Sequence, residues 1–299
     1  MNKMNLRGIF PPITTPFENG DIAFDKLAAN VEKLSGTGIA GIVVLGSNGE
    51  YVYLSEKEKR AVVRTVVQAV PENMPVIAGS GCESAAETIR LTCDCAELGV
   101  HAALLTTPHY YGGEMTDEAL IRFYTLVADN VPIPVLLYNV PKFTHLNLTA
   151  QTVSRLSGHP NILGIKDSSG NVNLLGQYLY RSETNFNVLV GTAGVLFGGL
   201  TLGCVGAILA LANIAPEACI KIFEAVVKDR FEEAKRLQLR MIPVNNAVTA
   251  TYGIRGLKAA MDMLGYFGGD PRLPLLPATE KEKTEIRDIL VQAQLLVEK

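Results

Sequence analysis

The sequence predicts an α/β fold, a (β/α)8 TIM barrel with a C-terminal helical extension. Short apolar runs rich in Val, Ile, Leu and Ala recur eight times, and turn residues follow each run. Most of the intervals between the runs show helical periodicity and are long enough to cross back over a sheet. Repeated strand and helix units imply a parallel sheet, and eight units in about 250 residues match a closed barrel.

The predicted strands follow directly from the apolar runs. No GxGxxG segment follows the first run, which disfavours a doubly wound nucleotide-binding sheet. Helix starts agree with the pattern, because Ser55 with Glu58 and Thr279 with Glu282 each form a capping-box signature. The eight predicted strands are 8–14, 41–46, 75–79, 102–106, 134–139, 162–166, 186–191 and 206–212.

The chain continues beyond the eighth predicted strand with more helices than a minimal barrel needs. The periodicity predicts helices at about 217–228, 230–249, 253–264 and 279–297. No linker separates this part from the barrel. We therefore expect a barrel over residues 1–215 and a helical extension over residues 216–299 that packs on it as one structural unit.

Composition and charge favour chemistry on small molecules. The formal net charge is -3 and no long run of like charges occurs, so neither a nucleic acid nor a membrane surface is an expected partner. No segment reaches the length of a membrane span, and the start has no secretory or transit pattern. We expect a cytoplasmic protein.

The metal-ligating residue types do not cluster along the chain. The five cysteines are odd in number and lack CxxC spacing, which argues against a disulfide framework or a zinc knuckle. The four histidines show neither HxH nor HExxH spacing, and the acidic residues form no evident metal site. No metal and no bound cofactor are therefore expected.

Polar residues at the ends of the predicted strands are the first candidates for chemistry, because barrel enzymes place their active sites there. Four segments meet this condition: GSNGE at 46–50, TPHYYGG at 107–113, YNVP at 138–141 and GIKDSSG at 164–170.

Lys166 would end the sixth predicted strand, after an apolar run. Lysine is mostly a surface residue, so a solvent-exposed Lys166, or one paired with Asp167, is the plain alternative. The functional interpretation is that burial lowers an amine pKa from about 10.4 toward neutrality, which yields a nucleophile for a carbonyl. The protonated imine that results is an electron sink for breaking or forming a carbon–carbon bond.

Two neighbouring segments supply groups that such chemistry needs. Tyr138 could exchange protons with the carbinolamine and with a substrate hydroxyl, although an ordinary core tyrosine fits its local sequence as well. Ser47 and Asn48 could present a hydroxyl and backbone N–H groups to a carboxylate, while a plain tight turn also explains GSNGE. Tyr110 and Tyr111 follow the fourth strand, where aromatic packing is the competing explanation.

In chain order, these four segments resemble the dihydrodipicolinate synthase and N-acetylneuraminate lyase family of Schiff-base aldolases along essentially the whole sequence. GSNGE, GSGCES and the GLK, MD and GYFGG segments resemble the 4-hydroxy-2-oxoglutarate aldolase branch more closely than the founding synthases. Further matching segments are FPPITTPF at 10–17, GSGCES at 79–84, GTAGVL at 191–196 and GLKAAMDMLGYFGGDPRLPL at 256–275.

The resemblance implies roles for particular residues. Lys166 would form the imine with pyruvate, Tyr138 would be the catalytic hydroxyl, and Ser47 would link Tyr138 to a tyrosine inserted by a neighbouring subunit. That tyrosine corresponds to Tyr110, with Tyr111 as the alternative. The pyruvate carboxylate would be received at Ser47 and Asn48. A shared tyrosine implies an oligomer, and we expect a homotetramer built as a dimer of dimers. The other substrate-binding residues implied are Ser168 and Gly191.

One departure from the family pattern bears on the reaction. The synthases carry an arginine five residues after the YNVP tyrosine, where it binds the carboxylate of aspartate semialdehyde, and this sequence has Phe143 there. Phenylalanine cannot make that bidentate contact. Lys142 is adjacent, and no other basic residue is an obvious replacement.

The leading hypothesis is therefore reversible cleavage of 4-hydroxy-2-oxoglutarate to pyruvate and glyoxylate. Two related activities stay open: condensation of pyruvate with aspartate semialdehyde, as in 4-hydroxy-tetrahydrodipicolinate synthase, and cleavage of a 2-keto-3-deoxy sugar acid. From another class, a protein that binds 2-oxo acids without turnover is also considered. The small-molecule partners expected are pyruvate and a small aldehyde.

Overall fold

The computed structural model describes residues 4–297 and contains an eight-stranded parallel sheet. All eight predicted strands are present, and no strand boundary differs from its apolar run by more than four residues. They are β1 (Gly8–Phe10), β2 (Ile42–Val44), β3 (Val76–Gly79), β4 (Ala102–Thr106), β5 (Val135–Asn139), β6 (Ile162–Asp167), β7 (Asn187–Val190) and β8 (Gly206–Ile208).

The sheet closes on itself. Each strand from β2 to β8 pairs in parallel with the next, and β8 pairs with β1. The last seam runs between β2 and the chain just after β1, where Val43 N donates to Pro11 O at 3.0 Å and Ile13 N donates to Val43 O at 2.9 Å. The predicted (β/α)8 barrel is confirmed.

Helices connect successive strands, and both predicted capping boxes are present. Ser55 and Glu58 exchange hydrogen bonds at the start of α2, and Thr279 and Glu282 do so at the start of the last helix. The connecting helices are α1 (Phe24–Ser35), α2 (Glu56–Ala69), α3 (Ala85–Glu97), α4 (Asp117–Asp129), α5 (Pro141–Thr144), α6 (Ala150–Ser157), α7 (Val172–Arg181) and α8 (Leu196–Leu202).

Four further helices follow β8. The first of them packs against β1. Buried Met241, Val244 and Ile286 belong to the same apolar core as the barrel strands and helices. We therefore propose that residues 216–299 and the barrel form one structural unit, with the boundary after residue 215 remaining a prediction. The four helices are α9 (Pro216–Val227), α10 (Phe231–Asn246), α11 (Gly253–Met263) and α12 (Glu280–Gln292), and a π-helical turn (Ala247–Thr251) follows α10.

Two details differ from the predictions. A small antiparallel hairpin pairs Phe17–Glu18 with Asp21–Ile22, and two residues per strand are too few to give a sequence signal. The predicted end of the last helix at residue 297 is wrong. The chain turns at Gln294, whose φ is 58°, so that Leu295 and Leu296 pack against the core instead of extending α12.

The barrel interior is filled by apolar side chains, including Phe10, Val43, Ile77 and Leu136. Tyr138 belongs to this interior layer and lies near its upper end, where β5 finishes. The packing of the interior therefore determines which side chains of β5 and β6 point into the barrel. Among the described helices, none has both the length and the apolar character that a membrane span requires.

Candidate active site

Lys166 lies near the end of β6 with only 3% of its surface exposed. It is the register partner of Tyr138 on β5, and its Nζ lies 4.0 Å from the centre of the Tyr138 ring. Successive residues of a strand point to opposite faces of the sheet. Lys166 and Tyr138 therefore face the barrel interior together, and the neighbouring Asp167 faces outward.

Asp167 forms its own set of contacts on the outer face. Its carboxylate accepts hydrogen bonds from Asn139 Nδ2 at 2.7 Å and from Ser169 Oγ at 2.6 Å. Burial raises the pKa of Asp167, and these hydrogen bonds partly offset the increase. Lys166 is buried, so the alternative of an exposed Lys166 is wrong. Asp167 turns away from Lys166, so the alternative of a pair between the two is wrong as well.

Tyr138 is buried beside the amine and several hydroxyl groups. Burial by itself raises the pKa of a phenol, but the nearby Lys166 ammonium and the polar side chains of Ser47, Lys166 and Ser168 together bring the pKa of Tyr138 below its ordinary value. A phenol of lowered pKa can give up and recover a proton more readily. The surroundings of Tyr138 thus differ from those of a purely structural core tyrosine.

Ser47 and Asn48 form a single 3-10 turn directly after β2. Glu50 ends this turn in the left-handed conformation, with φ of 53°, and its N–H donates to Ser47 O. Asn48 Nδ2 donates to Pro12 O at 3.4 Å. The turn brings the Ser47 side chain close enough to Tyr138 to lower the pKa of its hydroxyl.

Ser168 and Gly191 come together after β6 and β7. Ser168 Oγ donates to Gly191 O at 3.2 Å, and Gly191 N donates to Asp167 O at 2.7 Å. A Cβ added at Gly191 would lie 2.2 Å from Ser168 Oγ, which is closer than atoms can approach. Glycine at position 191 therefore lets β6 and β7 bring their ends together at this point.

One cavity of about 840 Å³ opens at this end of the barrel. Its far wall comes from the extension, through the π-helical turn and neighbouring residues. Six of the seven predicted site residues line the cavity: Ser47, Asn48, Tyr138, Lys166, Ser168 and Gly191. Within residues 4–297 no group of three or more His, Cys, Asp or Glu side chains could hold a metal ion.

Tyr110, the seventh predicted residue, lies outside the cavity of its own chain. Its side chain is 78% exposed and that of Tyr111 is 70% exposed, and the two rings contact edge to face at 5.0 Å. Glu83 anchors the loop, because its carboxylate accepts from the backbone N–H of His109 and of Tyr110. The insertion of either tyrosine into a neighbouring subunit remains a prediction.

Tyr51 also lines the cavity and was not among the predicted site residues. Burial raises the pKa of Tyr51, and the nearby Thr106 side chain partly offsets the increase. Thr106 is itself the register partner of Tyr138. The sequence could have indicated Tyr51 as a site residue, because Tyr51 directly follows the GSNGE segment.

A buried amine that faces a phenol of lowered pKa, among hydroxyl groups at the C-terminal end of barrel strands, is the arrangement of a lyase acting through a lysine imine. The family model described as "Dihydrodipicolinate synthetase family" matches residues 5–293. The chain belongs to this family and is a lyase of the class I aldolase type. Enzymes of the family form a Schiff base between a lysine and pyruvate.

Individual relatives are similar over nearly the whole chain. The chain is 37% identical over 288 residues, 96% of both chains, to the 4-hydroxy-tetrahydrodipicolinate synthase of Methanothrix thermoacetophila. It is 35% identical over 290 residues, 97% of this chain and 99% of the relative, to the synthase of Geobacter metallireducens. The structure of the chloride-inhibited dihydrodipicolinate synthase from Acinetobacter baumannii, complexed with pyruvate, matches with a TM-score of 0.92 and 30% identity, covering 98% of this chain and 100% of that one.

Proposed function

We propose that the chain joins pyruvate to an aldehyde, or releases it from the joined product, through an imine at Lys166. One observation carries this proposal: the buried Lys166 amine lies 4.0 Å from the ring of Tyr138, whose pKa is lowered. A nucleophile and a proton carrier thus share one cavity. The retention of both reactive groups argues against a protein that only binds 2-oxo acids.

The first half of the reaction activates pyruvate. The free amine of Lys166 attacks the C2 carbonyl carbon, and the carbinolamine then loses water to give a protonated imine. Tyr138 is placed to hand protons to and from the carbinolamine oxygen. Tyr138 in its phenolate form takes a proton from the methyl carbon, whose electron pair moves toward the imine nitrogen and produces an enamine.

The second half forms the new bond. The enamine carbon attacks the aldehyde carbon, and the oxygen that becomes an alkoxide takes a proton from Tyr138. For aldol products, water then hydrolyses the imine, which releases the product and restores the amine. With aspartate semialdehyde as the acceptor, the amino group of the joined product attacks the imine carbon in place of water, which closes the ring and restores the Lys166 amine. Aldol cleavage follows the same steps in reverse, with Tyr138 removing the proton from the substrate hydroxyl.

The remaining predicted residues fit binding roles in this scheme. Ser47 and Asn48 are placed to hold the pyruvate carboxylate, and Ser168 and Gly191 line the same cavity after β6 and β7. The exposed Tyr110, or Tyr111 in its place, would complete the proton path from a neighbouring subunit. A homotetramer built as a dimer of dimers and a cytoplasmic location remain part of the proposal.

For the acceptor, we propose aspartate semialdehyde as the first candidate, which would make the reaction 4-hydroxy-tetrahydrodipicolinate synthesis. The names of relatives at 35% and 37% identity support this activity better than the expected cleavage of 4-hydroxy-2-oxoglutarate. The order of the two hypotheses from the sequence is therefore reversed.

Cleavage of a 4-hydroxy-2-oxo acid stays as the second candidate because of Phe143. Its side chain lines the cavity and is 53% exposed, at the position where the synthases carry their carboxylate-binding arginine. An aromatic ring there cannot hold a carboxylate. Both candidates share the same pyruvate chemistry and differ in the aldehyde.

An acceptor assay separates the two candidates. If the first is correct, pyruvate is consumed with aspartate semialdehyde at a kcat/KM at least tenfold above that with glyoxylate. If the second is correct, 4-hydroxy-2-oxoglutarate is cleaved to pyruvate and aspartate semialdehyde is a poor acceptor. Failure of every aldehyde and every 4-hydroxy-2-oxo acid, including the 2-keto-3-deoxy sugar acids, would contradict the proposed function.

A further inference from the structure

The charges around the cavity are unbalanced. Among the described residues, its wall includes three strongly basic side chains, Lys142, Lys166 and Arg255, but only one carboxylate, Glu50. That carboxylate is already paired, because Glu50 Oε1 lies 2.6 Å from Lys258 Nζ beneath the wall. An excess of positive charge favours an anionic ligand. Pyruvate supplies only one negative charge, so the excess positive charge of the wall favours a second anionic group on the ligand.

Two of the three cations already have an assigned partner. Lys166 is the proposed imine-forming residue. Arg255 Nη2 lies 2.8 Å from Glu282 Oε1, so its guanidinium is partly neutralised within the extension. For Lys142, in contrast, no carboxylate of residues 4–297 lies within 4.0 Å of Nζ.

The Lys142 ammonium is held at a defined place above the cavity. Lys142 belongs to α5, which starts directly after the YNVP segment of Tyr138. Its Nζ donates to Thr249 O at 2.6 Å, a carbonyl of the π-helical turn in the opposite wall. An ammonium has three N–H donors, so two remain for a ligand. π-helical turns also occur frequently at functional sites.

We propose that Lys142 binds the distal carboxylate of the acceptor, so that the cavity takes products with a carboxylate at each end. Ser47 and Asn48 hold the carboxylate next to the imine, and Lys142 holds the one contributed by the aldehyde. Phe143, the residue in the arginine position, lies beside the ammonium, with its ring centre 5.6 Å from Nζ. This inference rests on the proposed imine chemistry and narrows its substrate class to aldehyde acids.

Two 2-oxo acids of equal chain length test the proposal without knowledge of the acceptor. 2-Oxoglutarate carries a distal carboxylate, and 2-oxopentanoate has a methyl group there. Both can form an imine, so half-saturation of borohydride trapping measures the binding of each. The wild type is expected to prefer 2-oxoglutarate. Lys142→Met is expected to weaken the binding of 2-oxoglutarate by about tenfold to a hundredfold, which is the range for a hydrogen bond to a charged group. The binding of 2-oxopentanoate is expected to stay unchanged.

The controls separate a local role from a general one. Lys142→Arg should keep most of the preference, and Lys228→Met, which removes an exposed lysine paired with Glu224 in α9, should keep all of it. The proposal is overturned if Lys142→Met binds 2-oxoglutarate and 2-oxopentanoate equally more weakly than the wild type does. It is also overturned if the wild type shows no preference for 2-oxoglutarate. A preference lost in Arg255→Met and kept in Lys142→Met overturns it as well. If the wild type traps none of these ligands and no pyruvate, the proposed function itself fails.

Discussion

Replacing Tyr138 with phenylalanine is expected to lower kcat by about a hundredfold to ten-thousandfold, the usual contribution of a positioned proton-transfer group. The hydroxyl is the only part removed, and the ring that packs in the barrel interior stays. Imine formation, dehydration and carbon–carbon bond formation each need a proton moved near Lys166. Steady-state assays with the best acceptor measure the effect.

Tyr124→Phe provides the matched control. Tyr124 is also fully buried, but its hydroxyl contacts Leu105 O and Thr107 Oγ1 on the outer side of the barrel. The kcat of Tyr124→Phe should stay within about twofold of the wild type. Its free energy of unfolding should fall by about 1 kcal/mol because one hydrogen bond is lost. A Tyr138→Phe variant with near wild-type kcat would show that Tyr138 is a structural tyrosine.

The pH dependence of kcat provides an independent test of the role of Tyr138. The pKa of Tyr138 lies below that of a free phenol because Lys166 and neighbouring hydroxyls favour its charged form. As the pH falls through this lowered pKa, the phenolate gains a proton and loses its capacity as a base. The wild type should therefore lose activity on the acid side, and Tyr138→Phe should lack the part of that dependence that comes from the phenol.

Breaking the buried pair of Glu50 and Lys258 is expected to cost about 3 to 5 kcal/mol of unfolding free energy, because the remaining charge stays buried without a partner. Both side chains are 1% exposed. Lys258 Nζ also donates to Asp270 O at 3.0 Å, and Glu50 Oε2 accepts from Arg272 N at 2.8 Å. The pair thus ties the turn of Ser47 and Asn48 to the extension.

Urea unfolding of three variants measures this effect. Lys258→Met and Glu50→Gln should each show the loss, and the double variant should lose less than the two single losses added together, since it leaves no charge unpaired. Lys228→Met, which breaks an exposed pair, should change stability by less than about 1 kcal/mol. Single variants that unfold within about 1 kcal/mol of the wild type would refute this role for the buried pair.

Most of the barrel was predictable because burial on both faces of a parallel strand leaves a continuous apolar run. Tyr138 and Lys166 lie one residue before the ends of the neighbouring strands β5 and β6, so their proximity followed from the fold. Strand alternation was harder to use, since a shift of one residue would have turned Asp167 inward instead of Lys166. The structure settles that register through the pairing of Tyr138 with Lys166.

The contacts that the sequence did not predict join distant parts of the chain. Glu50 and Lys258 meet only because the extension folds back over the barrel, and neither local sequence indicates the other. The position of Lys142 above the cavity depends on the carbonyl of Thr249 in a π-helical turn. Such turns have no simple periodic signal, so adjacency to Phe143 was the only indication available.

Borohydride trapping tests the imine at Lys166 most directly. The protein is incubated with pyruvate and borohydride, its intact mass is measured, and the modified peptide is mapped. We expect a single carboxyethyl adduct, the reduced pyruvate imine, on Lys166 in the wild type and in Lys142→Met, and none in Lys166→Ala. An unmodified wild-type chain, or an adduct on another lysine that persists in Lys166→Ala, would contradict the assignment.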